Sequence, residues 1–225
     1  DGFVREHEGP LPEDALDRLL AIGRAAFGKA LDRPGVAAFW WPRFERIAAW
    51  VVAQERARRE TLLAAHTRVT GRLTLEAPGG PFHVTARVDR IDRMRDGRLA
   101  ILEYKGTALP KVEAVREGAA PEMGIKAAIA LAGGYDGLSA AAVAELAYWS
   151  LSGSGEGGKA QPACGRDTDP AALAAEICAG LGRYVAAFDA AATPYLAQPR
   201  PALAPGRSPY AHLARVKEWG RGGAA

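Results

Sequence analysis

Cysteine is scarce in this chain: Cys164 and Cys178 are the only two in 225 residues. With no companion pair, their spacing fits neither a zinc site nor a disulfide framework, and a reducing cytoplasm is the expected compartment. His66, His83 and His212 stand alone, without the H-x3-H or H-E-x-x-H spacing of a metal site, and read as structural or solvated side chains. No run approaches the roughly 20 apolar residues of a membrane span, so no membrane partner is expected. The opening Asp1-Gly2-Phe3-Val4-Arg5-Glu6 lacks the apolar stretch of a signal peptide. It starts without methionine and inside a helical pattern, as a piece of a longer protein would. There is no Walker A loop and no G-x-G-x-x-G, so no ATPase is expected in this segment. No internal repeat is visible.

What is present is ordinary globular composition, 48% hydrophobic and 24% charged, with a net charge of only +3. The distribution says more than the total. Between Arg43 and Arg98 there are 12 arginines against 7 acidic residues. Arginine suits phosphate because its planar fork donates two parallel hydrogen bonds, although a solvated helix face with pairs such as Glu55–Arg59 gives the same count.

Hydrophobic periodicity divides the chain. Leu16, Leu19, Leu20, Ile22 and Phe27 recur at helical spacing behind the acidic start Pro12-Glu13-Asp14. A second helix is expected over about 36–60, with Trp40, Phe44, Ile47 and Val51 on one inward face. Pro42 allows that helix to start there instead. These aromatics are read as core and not as a base-stacking platform. The period then changes to two. Val69, Leu73 and Leu75, then Phe82, Val84, Ala86 and Val88, mark two strands around the turn Ala77-Pro78-Gly79-Gly80-Pro81. Asp96-Gly97 signals a hairpin into the apolar run Leu99-Ala100-Ile101-Leu102, which should be the central strand. A short helix near 112–117 follows, then a helix opened by Pro121 and ended by Gly133-Gly134. A fourth strand is expected over 143–151, a Gly/Ser loop over 152–159, and a helix from Asp169-Pro170 to about Ala192 with Ile177, Leu181, Val185 and Phe188 inward. The proline-rich tail of 194–209 reads as an irregular strap, ending in a short helix over 210–219. The expected architecture is a single α/β domain in three parts: N-terminal helices (1–60), core sheet and helix (61–151), and C-terminal helix and tail (152–225).

The chemistry concentrates in Val88-Asp89-Arg90-Ile91-Asp92 and Ile101-Leu102-Glu103-Tyr104-Lys105, on either side of the Asp96-Gly97 hairpin. Alternation along a strand sends Glu103 and Lys105 to one face, and Asp89 can reach them from the neighbouring strand. Two carboxylates and a lysine in that arrangement suit phosphodiester hydrolysis. The acids would hold one or two Mg²⁺ ions, with the Tyr104 carbonyl as a further ligand, and Lys105 would position water or stabilise charge.

The run ARVDRIDRMRDGRLAILEYKG, residues 86–106, resembles the GRIDRID…G…DYKTG signature of RecB-like nucleases in the PD-(D/E)XK superfamily. FWWPRFERIAAW, EMGIKAAIALAGG, AELAYWSLSG and YAHLARVKEW are similar to the C-terminal region of AddB-type double-strand-break repair proteins, so the resemblance covers nearly the whole chain. It implies a restriction-endonuclease-like core, a mixed four-stranded sheet flanked by helices with extra helices at both ends. It further implies Asp89 and Glu103 as metal ligands, Lys105 as the catalytic lysine, Mg²⁺ or Mn²⁺ as cofactor, and DNA and an AddA-like helicase-nuclease subunit as partners. Glu122 and Lys126 stand where the family has Gln and often Tyr. Glu122 is therefore either a further metal ligand or a helix-start acid favoured by the dipole, and Lys126 a phosphate contact or a solvated lysine. Gly106-Thr107 replaces the family's Thr-Gly. An upstream helical histidine of the family has no counterpart, since His7 comes too late and beside Gly9-Pro10, and two cysteines cannot build the four-cysteine iron–sulfur clasp of some relatives. The expected activity is a metal-dependent, exonucleolytic deoxyribonuclease, with Arg43, Arg46, Arg87 and Arg90 as sequence-independent backbone contacts. Arg90 has the alternative of pairing with Asp92. The rival reading is an inactive domain of the same fold that binds DNA or scaffolds a complex.

Overall fold

The computed structural model describes residues 2–6, 9–106, 108–197, 208–210 and 212–215. His7, Thr107 and most of the expected tail strap and terminal helix lie outside the described residues. The elements in chain order are α1 (Gly2–Glu6), α2 (Ala15–Phe27), α3 (Trp41–Arg59), β1 (Leu62–Leu75), β2 (Phe82–Met94), β3 (Leu99–Lys105), α4 (Val112–Arg116), α5 (Glu122–Leu131), β4 (Val143–Ser150), β5 (Lys159–Pro162) and α6 (Pro170–Asp189).

The strands form one mixed sheet in the order β1-β2-β3-β4-β5. β1, β2 and β3 make an antiparallel meander, β3 and β4 are parallel, and β5 is antiparallel to β4. A parallel pair needs a crossover, and α4 and α5 supply it. β3 is the middle strand, as its unbroken apolar run demands. Its two faces serve two cores. Leu99 and Ile101 pack with Met123, Ile129 and Ile177 beneath α5 and α6, and Ala100 and Leu102 pack with Trp149 and Trp50 beneath α3. The fifth strand departs from the expected four. Four residues ending in Pro162 at a sheet edge carry almost no alternation to read.

α3 departs in its inward face. Pro42 has no N–H to give and its ring crowds the carbonyl four residues back. The chain therefore enters α3 through a wide π turn at Val36–Trp40, in which the Trp41 N–H reaches the Val36 carbonyl. That turn brings Trp41 inward with Ala48, Val52, Glu55 and Arg59, and leaves Trp40 58% exposed. Trp40 is thus not a core residue. α6 buries Leu173, Ala174 and Ile177, but Phe188, expected inward, is exposed near the helix end.

Candidate active site

The inward phase of β2 changes midway. Ala86 and Val88 face the α5-side core, and so does Ile91, three residues further on. Strict alternation would turn Ile91 away from Val88. The change of phase falls at Asp89, opposite the stretch of β1 where Arg68 takes a positive φ of 56°. It lets Asp89 share the α5 face with Glu103 while Arg90 turns to the α3 face.

Asp89 and Glu103 are held by each other's strand. The Asp89 N–H donates to Glu103 Oε1 at 3.1 Å, and the Tyr104 N–H donates to Asp89 Oδ2 at 2.9 Å. This brings the Tyr104 main chain against the Asp89 carboxylate. Lys105 Nζ lies 3.9 Å from Glu103 Oε2 and 3.2 Å from Glu122 Oε2 on α5. Lys126, one helical turn after Glu122, reaches Glu103 Oε1 at 2.7 Å and Glu122 Oε1 at 2.6 Å. Asp89, Glu103, Lys105, Glu122 and Lys126 therefore form one connected cluster.

The cluster grades from dry to wet. The Glu103 and Lys126 side chains are 6% and 4% exposed, those of Lys105 and Glu122 26% and 44%. Burial raises the Glu103 pKa, offset only in part by the Lys126 ammonium. For Glu122 burial also works upward, but Lys126 and Lys105 together outweigh it and hold the carboxyl below its ordinary range. Asp89 and Glu103 offer carboxylate oxygens, the donors a hard divalent cation prefers, while the Lys126 ammonium takes up Glu103 Oε1. Glu122 points to the two lysines, and among the described residues no group of three or more His, Cys, Asp or Glu side chains converges on one point.

Lys126 is buried, so it is neither a solvated lysine nor free to reach phosphate. Arg90 is fully buried on the α3 face and cannot lie along a DNA backbone. It pairs with Glu55 and, at 2.5 Å, with Asp92, which is the alternative its sequence allowed. Arg43, Arg46 and Arg87 are exposed. Arg46 Nε donates to the Gly153 carbonyl at 2.8 Å, and Arg43 covers the Trp40 ring with its guanidinium carbon 5.6 Å from the centroid.

Tyr148 was not legible as a site residue. It pairs with Glu103 in the β3–β4 register, and Lys105 Nζ sits 5.8 Å from its ring centroid. Its buried hydroxyl has no hydrogen-bond partner among the described residues. The signal was the parallel register of β4 on β3, which sequence periodicity does not supply.

One family model, described as the PD-(D/E)XK nuclease superfamily, matches residues 3–201. No curated protein matches the chain. The matched span takes in all five strands and runs beyond α6, and Asp89 within β2 and Glu103 and Lys105 at the end of β3 lie within it. On that match the chain belongs to the PD-(D/E)XK nuclease superfamily.

Proposed function

We propose that this chain is a deoxyribonuclease that uses Mg²⁺ or Mn²⁺ to hydrolyse the phosphodiester backbone of a DNA strand. The observation that carries the reading is the interlocked pair Asp89 and Glu103, with Lys105 beside them at the open end of β3. Asp89, Glu103 and the Tyr104 carbonyl are the donors that would hold the metal, and Glu122, which turns to Lys105 and Lys126, would join them from α5 only by releasing those lysines. When bound, such an ion polarises a phosphate and lowers the pKa of its water. Lys105, tethered by Glu122 yet reached by solvent, is suited to holding the attacking water or to meeting charge that develops on the phosphate. Lys126 acts as a positioning residue, fixing Glu103 and Glu122 without touching substrate. Arg43, Arg46 and Arg87 contact the backbone and read no sequence.

Within the same proposal the activity is exonucleolytic and cytoplasmic. It acts on a strand delivered by an AddA-like helicase-nuclease partner during double-strand-break processing for recombination. Its support is the resemblance of residues 39–50, 122–134, 144–153 and 210–219 to AddB-type proteins. A second reading, a silent domain that guides DNA or scaffolds a complex, draws on Lys126. Its ammonium already neutralises two carboxylates that a metal would otherwise neutralise.

The test is Mn²⁺-dependent degradation of labelled linear single-stranded DNA by the chain and its Lys105→Ala variant. Degradation slowed about a hundredfold or more in the variant is expected. Equal degradation by both removes Lys105 from the chemistry. None by either, with no Mn²⁺ binding in calorimetry, supports the silent domain.

A further inference from the structure

Two large aromatic side chains stand in water at the entrance to α3. Phe39 is 73% exposed and Trp40 58%, while the neighbouring Trp41 is buried. Adjacent exposed aromatics form the kind of apolar patch that marks an interaction site. The surroundings say which kind. Residues 33–46 hold Arg33, Arg43 and Arg46 against a single acid, Glu45, and that acid accepts the Trp41 indole N–H at 2.6 Å. Arg43 covers one face of the Trp40 indole at 5.6 Å. An aromatic face with a guanidinium beside it matches a nucleotide, which offers a base to stack and a phosphate to pair.

The patch is joined to the catalytic end of the sheet by a short piece of chain. The Leu151 N–H donates to the Lys105 carbonyl at 2.8 Å. Gly153, two residues on and so at most about 7 Å away along the chain, packs against Arg43. A Cβ there would stand 2.7 Å from Arg43 Cβ, and its φ of 67° also favours glycine. Arg46 fixes the same residue by its carbonyl. The loop after β4 thus runs from the main chain of Lys105 to Arg43 and Arg46 at the start of α3.

We propose that Trp40, flanked by Phe39 and backed by Arg43, is a base-stacking platform for single-stranded DNA at the entrance to α3, linked to the main chain of Lys105 by the loop after β4. The proposal rests on the nuclease reading for its ligand. Single-stranded DNA is the form named because a duplex keeps its base faces stacked on one another. A base lies on the open face of the indole and Arg43 pairs with its phosphate. Stacking of this kind is indifferent to sequence, as a degradative enzyme requires.

The test uses anisotropy in EDTA with two labelled strands of about twelve nucleotides: oligothymidylate, and an abasic strand of equal length and charge. The chain should bind oligothymidylate about tenfold more tightly than the abasic strand, and Trp40→Ala should erase that preference while Trp40→Phe keeps most of it. Equal binding of the two strands by the unaltered chain overturns the platform and leaves the rings to a protein partner. A preference untouched in Trp40→Ala overturns it too. Mn²⁺-dependent shortening of the same oligothymidylate reads the nuclease separately. Base preference without shortening defeats the nuclease and keeps the platform, and shortening without base preference does the reverse.

Discussion

On the α5 side of the sheet, Asp89, Glu103, Lys105, Glu122 and Lys126 meet at the end of β3. On the α3 side, Glu55, Arg58, Arg59, Arg90 and Asp92 meet beneath Trp149. Both clusters combine acids with bases, and both draw on β2 and on a helix laid over it. Their side chains alternate along one strand, Asp89 to one side and Arg90 to the other. The α3-side cluster is closed: Glu55, Arg90 and Asp92 are fully buried, and each makes hydrogen bonds within the group. Burial alone would push the Arg90 pKa down, yet Asp92 and Glu55 outweigh it and raise the value. The α5-side cluster opens to solvent at Lys105 and Glu122. A closed network of guanidiniums and carboxylates ties α3 to β2. In the function proposed above, a half-open network of lysines and carboxylates exchanges internal cations for a metal or a substrate. Exposure and the choice of lysine over arginine separate a structural clasp from a chemical site.

That contrast breaks most visibly in stability. Arg90→Met leaves Glu55 with Arg59 alone and Asp92 with Arg58 alone, and should cost about 3 kcal/mol in urea unfolding. Lys105→Ala removes a partly exposed cation and should cost less than about 1 kcal/mol. Comparable losses in the two variants would erase the distinction between the faces.

A smaller effect is expected in the pH dependence of Glu103→Gln, followed by thermal unfolding in metal-free buffer. The folded Glu103 pKa lies above its ordinary value of 4.5. Its contribution to stability is therefore fully present below that value and is lost as pH rises through the folded pKa. The variant should gain on the wild type as pH rises from acid to neutral. A gap that is constant with pH would show that Glu103 titrates normally. Glu122 has the opposite sign, its contribution being present above 4.5 and lost as pH falls through its lowered pKa.

The smallest effect concerns the solvent end of α3. Arg43→Ala and Arg46→Ala should each weaken single-stranded DNA binding uniformly across sequences and reduce the salt slope by about one. An unchanged slope would remove those arginines from the backbone contacts.

Sequence reading reached the strands of the candidate site because their signals are local. Asp96-Gly97 fixes the hairpin, alternation puts Glu103 and Lys105 on one face, and the apolar run of β3 places it centrally. It could not reach Lys126 as a buried cation. A lysine on a helix reads as solvated until the helix is seen packed on the sheet with Glu103 beneath it. Arg90 failed as a DNA contact for the same reason, since Glu55 lies 35 residues away on another element. Trp40 was placed in the core because helical periodicity was carried through a π turn, whose extra residue shifts the inward face to Trp41.

The most direct measurement is a calorimetric Mn²⁺ titration of the chain and its Asp89→Asn and Arg90→Met variants. The α5 face alone should hold the metal, so binding is expected in the wild type, lost in Asp89→Asn, and retained in the folded fraction of Arg90→Met. No binding in the wild type, or binding that survives Asp89→Asn, would contradict the assignment of the metal to Asp89 and Glu103.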